Sequence, residues 1–87
     1  MKTRVAVIGI IVEDPDSVSA LNDLLHEFAP YIIGRMGIPY RAKHMNVISV
    51  AVDATDDTIS ALAGRIGALP GISAKAAYSN AYTDDEE

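Results

Sequence analysis

Four basic residues fall close together in this chain: Arg35, Arg41, Lys43 and His44. No acidic residue interrupts the stretch between Glu27 and Asp53 that holds them. Side chains of this kind, if they converge, hold a phosphate or a carboxylate, with arginine offering a two-pronged contact. The plainer alternative is a soluble hairpin whose charges keep an edge strand from pairing with other chains. Arg35 is the strongest ligand-binding candidate, because it stands inside a strand-like run between Gly34 and Gly37. Glycines there also let a ligand or another backbone approach closely.

A second cluster involves His26. Helical spacing puts it one turn from Asn22 and beside Asp23. A metal would need further ligands, from His44, Glu27 or a second subunit. A solvated helix flank explains the same spacing without any metal. Ser19, Asn22 and His26 share a helix face but sit on one rigid rod, with nothing to form an oxyanion pocket. No catalytic residue, metal ligand or cofactor is therefore assigned. The absence of cysteine from the sequence removes disulfides, cysteine-bound iron–sulfur clusters and cysteine-based zinc sites.

The elements that must position these residues follow from periodicity. Arg4–Val12 is mostly β-branched and is ended by Glu13-Asp14-Pro15, which predicts a first strand. Asp14 is a good helix cap, with Pro15 at the first helical position. Val18, Leu21, Leu24, Leu25 and Phe28 then recur at the spacing of a one-sided helix, which Pro30 stops. Tyr31–Ile38 reads as a weaker second strand ended by Pro39, Pro39–His44 as a turn, and Met45–Asp53 as a third strand. Thr55-Asp56-Asp57 caps a second helix with the stripe Ile59, Leu62, Ala63 and Ile66. Ala61, Gly64 and Ala68 form a small-residue stripe on it, expected to allow close helix packing. Gly71 serves the turn into a last strand, Ile72–Tyr78.

The order β-α-β-β-α-β is that of an α+β, ferredoxin-like fold. The expected sheet has four strands in the order 4-1-3-2, strands one and three parallel, and both helices on one face. Residues 1–79 would form the single domain and 80–87 a frayed acidic tail. Ala6, Ile8, Ile10, Val12, Ile48, Val50 and Val52 would hold the helices. Val5, Val7, Gly9, Ile11, Val47, Ser49 and Ala51 would line the opposite face. Hiding even ~200 Å² of apolar surface there at 25 cal/mol/Å² is worth roughly 5 kcal/mol before association costs. That face is accordingly expected to be the interface of a homo-oligomer, a dimer or a tetramer.

Composition supports a folded, self-associating domain. Of 87 residues, 49% are hydrophobic and one is Phe, so the core must be aliphatic. At such a length folding hides only about 60% of the unfolded chain's surface. The formal net charge of −5 argues against general nucleic-acid binding. The apolar run Val5–Val12 is too short to cross a bilayer and is followed by acids rather than a cleavage site, so the expected compartment is the cytoplasm.

Two segments carry a family resemblance. One is Leu24-Leu25-His26-Glu27-Phe28 with Tyr31-Ile32-Ile33-Gly34-Arg35-Met36-Gly37-Ile38-Pro39-Tyr40-Arg41. The other runs from Asp57-Thr58-Ile59 through Gly64-Arg65-Ile66-Gly67 to Leu69-Pro70-Gly71-Ile72-Ser73-Ala74-Lys75. Together they resemble the iron-only hydrogenase system regulators, small ACT-like domains. The resemblance implies an ACT-like fold that self-associates, akin to the effector domain of nickel-responsive regulators. It implies a non-enzymatic regulator that binds a small effector or a partner protein. The alternative is a metal-sensing or DNA-associated transcriptional regulator. Against that alternative, nickel-responsive regulators use a cysteine in their metal site and a ribbon-helix-helix segment on DNA, and neither is read here. ACT domains that bind amino acids carry Asp-x-Pro-Gly after the first strand, whereas Glu13-Asp14-Pro15-Asp16 has no such glycine.

Overall fold

In the computed structural model, which describes residues 1–84, alternation along the first strand decides the layering. Strand β1 spans Lys2–Val12, and its residues are alternately buried and open from Val5 onward. Ala6, Ile8, Ile10 and Val12 are each at most 1% exposed beneath the helices. They meet Leu21, Leu24 and Leu25 of helix α1 (Val18–Glu27) and Ile59, Leu62 and Ile66 of helix α2 (Asp56–Gly67). The helix-face residues of strand β3 (Met45–Ala54), Val50, Val52 and Ala54, complete this layer, with Ile48 partly buried beside it.

Asp14 does cap the turn after β1, accepting from the Asp16 amide at 2.9 Å. The turn it caps is a single 3-10 turn, Pro15–Ser17, and α1 begins only at Val18. The Ser17 hydroxyl donates to the Pro70 carbonyl at 2.6 Å, which draws this turn toward the loop after α2. Thr55 caps α2 by accepting from the Thr58 amide at 3.2 Å. Pro30 ends the first helix in a second 3-10 turn, Ala29–Tyr31. Strand β2 then runs Ile32–Tyr40, past the expected stop at Pro39. Pro39 is tolerated there because β2 lies at the edge of the sheet, where an absent N–H breaks no ladder. Residues Arg41–Lys43 make a third 3-10 turn, closed by His44 in the left-handed region at φ 55°. Strand β4, Ile72–Tyr78, matches the expected range.

The strand order is β2-β3-β1-β4, with every neighbouring pair antiparallel. This is the expected ferredoxin-like order and the ACT-like arrangement. The parallel pairing expected between β1 and β3 is corrected: Ile8 lies opposite Val50 in an antiparallel register. The crossover through α1 makes β1 and β2 run the same way, and the turn at Arg41–His44 reverses the chain. Strand β3, inserted between them, is therefore antiparallel to both.

A second expectation also fails. Ala61, Gly64 and Ala68 do not pack against α1; all three are exposed, and a methyl group added at Gly64 would meet nothing within 4 Å. The helices instead meet where Arg65 forms two bonds to Glu27, at 2.8 and 3.1 Å, and lies 5.5 Å from the Phe28 ring. Gly71 does serve a turn, at φ 68°. Its carbonyl also accepts from the Glu13 amide at 2.7 Å, and a side chain there would overlap Asp14.

Beyond β4 the chain continues alongside β1 in the same direction as β4. Strand β5, Thr83–Asp84, pairs with Lys2 and Thr3, within the segment expected as a tail. The end of that segment, Asp85–Glu87, lies outside the described residues.

Candidate functional site

Arg35 is set by the register of the edge strand. It lies opposite Val50, so its side chain leaves β2 on the helix side of the sheet. There it reaches α1, where its Nη2 donates to Asn22 Oδ1 at 3.1 Å. The 3-10 turn at Pro30 swings the chain away from the end of α1 and leaves a cleft between helix and strand. A cavity of about 490 Å³ lies in that cleft, lined by Asn22, Leu25, His26, Ala29, Ile32 and Arg35. On the other side of the guanidinium a smaller cavity of about 180 Å³ continues under Val18, Leu21, Gly37, Pro39 and Ile48. No acidic side chain lines either one.

The other three basic candidates do not join Arg35. Arg41 and His44 line a separate cavity of about 430 Å³ with Pro15, Tyr40, Met45 and Asn46. Lys43 ends the intervening 3-10 turn and is exposed. The separation is geometric, since Arg41 follows Arg35 along an extended strand that rises about 3.3 Å per residue. His26 faces the Arg35 cleft, while His44 belongs to the hairpin turn. Among the described residues no group of three His, Cys, Asp or Glu stands close enough to hold a metal ion. The cleft therefore offers one fixed cation, one amide and one imidazole over an aliphatic floor. That set can bind and orient an anion; it contains no paired base and nucleophile.

The remaining arginines behave differently. Arg65 is matched by Glu27, whose carboxyl is held below its ordinary range by that hydrogen bond. Arg4 donates to the Ser79 carbonyl at 2.8 Å and to Asp56 at 3.2 Å. It stacks 4.4 Å from the Tyr82 ring and 4.8 Å from the Tyr78 ring. Tyr82 donates to Asp56 at 2.9 Å, and that bond raises its pKa above the ordinary phenol range. Asn22 as the partner of Arg35 and the Arg4 cluster were both beyond sequence reasoning. The sequence marks Asn22 only by its place on one helix face with Ser19 and His26.

The uncovered sheet face is also on view. Val5, Val7 and Val47 are 41–42% exposed, and Gly9 is open. Ile11, Ser49 and Ala51 are half-buried. Strand β2 adds Met36, Ile38 and Tyr40 to this face, opposite Ser49, Val47 and Met45. These three, exposed by 50–67%, were missed as face residues. Their alternation was a usable signal, diluted by Gly34, Gly37 and Pro39.

Residues 4–76 match the family model "TM1266-like: Iron-only hydrogenase system regulator, putative". The chain belongs to this family. It is similar to a solved protein of Thermotoga maritima, the uncharacterized protein TM1266, at 31% identity and a TM-score of 0.84. That similarity covers 87% of this chain and 96% of the other. It also resembles part of a formyltetrahydrofolate deformylase from Pseudomonas putida, at 17% identity and a TM-score of 0.63. There 88% of this chain matches 29% of the larger one, a likeness of fold alone. No curated protein matches. The family membership accords with the resemblance drawn from the two segments around Arg35 and Gly64. Among the described residues no helix is long and apolar enough to cross a membrane.

Proposed function

We propose that this chain is a non-enzymatic regulatory domain that works as a homo-oligomer and binds a small effector or a partner protein. The observation that carries the reading is the uncovered sheet face. Val5, Val7, Val47, Met36, Ile38 and Tyr40 present apolar surface there, each between 41 and 67% exposed. Scattered apolar residues are ordinary on any protein surface, but a contiguous apolar sheet face marks an interaction site. A second copy covers it with the same residues, as a two-fold interface requires. Free edges of the sheet add a further route for association, because β2 has only one neighbour.

Regulation without catalysis fits the same geometry. An ACT-like sheet in an oligomer can transmit an effector's binding through subunit contacts, and the cleft at Arg35 opens on the side opposite the proposed interface. The regulated system is the one the family description names, an iron-only hydrogenase system. Light scattering across micromolar concentrations tests the assembly directly. A mass of two or four subunits is expected; a monomer throughout would end this reading.

A further inference from the structure

We infer that the cleft between α1 and β2 binds a small organic carboxylate that carries no ammonium group. The inference rests on the reading of the chain as an effector-binding domain, and it names the class of effector. Its starting point is the difference between Arg35 and the two arginines that serve the fold. Arg4 and Arg65 each face a carboxylate, Asp56 and Glu27, and each lies against an aromatic ring. Arg35 is held by a neutral amide, Asn22, and pairs with no carboxylate among the described residues. Asn22 thus fixes the direction of the guanidinium without cancelling its charge. One contact to Asn22 leaves most of the five guanidinium donors available to an incoming anion.

The surroundings select the ligand further. The cavity of about 490 Å³ falls within the range that holds a small molecule. Leu25, Ala29 and Ile32 offer it an aliphatic surface, and His26 a second polar contact. The guanidinium fork fits a carboxylate and a phosphate alike, but one fixed cation over an aliphatic floor matches the single charge of a carboxylate better than the charge of about −1.5 to −2 on a phosphate. No acidic side chain lines the cleft, so an ammonium group entering it would meet the like charge of Arg35 with nothing to offset it. The favoured ligand is therefore an acid with an apolar body, and its amino-acid counterpart is rejected.

Phenylacetate and hexanoate serve as probes, with phenylglycine and inorganic phosphate as contrasts, each titrated into the full chain by NMR. Both acids are expected to move the resonances of Asn22, Leu25 and Arg35, with dissociation constants on the order of 1 mM or tighter. Arg35→Ala should weaken them roughly 10- to 100-fold, the loss of a charged two-pronged contact. Asn22→Asp, which gives Arg35 an internal carboxylate, should weaken them comparably while leaving the fold intact. Arg41→Ala should leave both affinities unchanged. Binding that survives Arg35→Ala overturns the inference, and so does tighter binding of phenylglycine or phosphate. Light scattering on the same samples separates the two ideas. A chain that associates but ignores both acids ends the cleft inference alone, while a monomer that binds them ends only the proposed assembly.

Discussion

Val7 and Ile8 are neighbours in one strand and of the same β-branched kind, yet they meet opposite fates. Ile8 is wholly buried under both helices, while Val7 is 42% exposed on the far side of the sheet. The difference shows how far one short chain's material reaches. Two helices cover one face of a four-stranded sheet and leave none for the other. Apolar residues on the covered face hold the subunit together; on the uncovered face they are available to a neighbour. The first prediction follows with the largest effect. Ile8→Ala should cost the folded subunit about 2–5 kcal/mol in urea unfolding, because it removes a close-packed side chain and leaves a cavity. Val7→Ala should cost the unassociated subunit less than about 1 kcal/mol. Equal losses at the two positions would erase the contrast.

The next effect in size belongs to the end of the covered side, where two turns seal the layer. Gly71 carries φ 68°, and its carbonyl accepts from Glu13 at 2.7 Å. Any side chain there adopts an unfavourable backbone and collides with Asp14. Gly71→Ala should destabilise the subunit by about 1–3 kcal/mol. Gly64→Ala is the matched control, because a methyl group at Gly64 meets nothing within 4 Å. Replacing that helical glycine should stabilise the protein by up to roughly 1 kcal/mol. Thermal unfolding of the two variants should therefore shift in opposite directions.

What was legible before the structure divides along the same line. Strong periodicity in β1, α1 and α2 exposed the covered core, because burial demands the spacing of two in a strand and three to four in a helix. Strand direction was not legible from the apolar run of β1. Such a run signals cover sought on both faces, whether its neighbours are parallel or antiparallel. Arg35 stands out as a cation between two glycines inside a strand rather than in a loop. Its partner Asn22 did not stand out, since their meeting depends on the register of β2 and on the bulge at Ile32–Gly34. The closeness of the basic residues in sequence leaves open whether they converge on one ligand. An extended strand carries Arg35 and Arg41 apart. The Arg4 cluster draws on Asp56, Ser79 and Tyr82, from different elements, and no local pattern announces it.

The uncovered face invites a change that touches assembly more than folding. Val7→Glu puts a charge where a second subunit would have to desolvate it. The variant should remain folded, with an unfolding midpoint close to that of the wild-type subunit, but its mass by light scattering should fall to one chain. Ser60→Glu, on the exposed outer side of α2, should leave the mass unchanged. If Val7→Glu keeps the wild-type mass, the apolar face is not the contact, and the free edge of β2 becomes the surface to disrupt.

The smallest effect lies on the covered side's outer rim, where Arg65 ties α2 to Glu27 at the end of α1. Both side chains are more than half exposed, so the pair adds little at neutral pH. Its sign is nevertheless fixed. The hydrogen bond from Arg65 holds the Glu27 carboxyl below its ordinary value of 4.5. The unfolded chain therefore takes up the proton first as pH falls. The pair's contribution is present above the unfolded value and is lost as pH drops through the folded one. Glu27→Gln should then unfold almost like the wild type at pH 7 and show a shallower loss of stability below about pH 4.5. Arg65→Met should flatten the same acid limb, because it removes the partner rather than the titrating group. An acid limb unchanged in both variants would mean that solvent already separates the two helices at this contact, and that the buried aliphatic layer alone joins them.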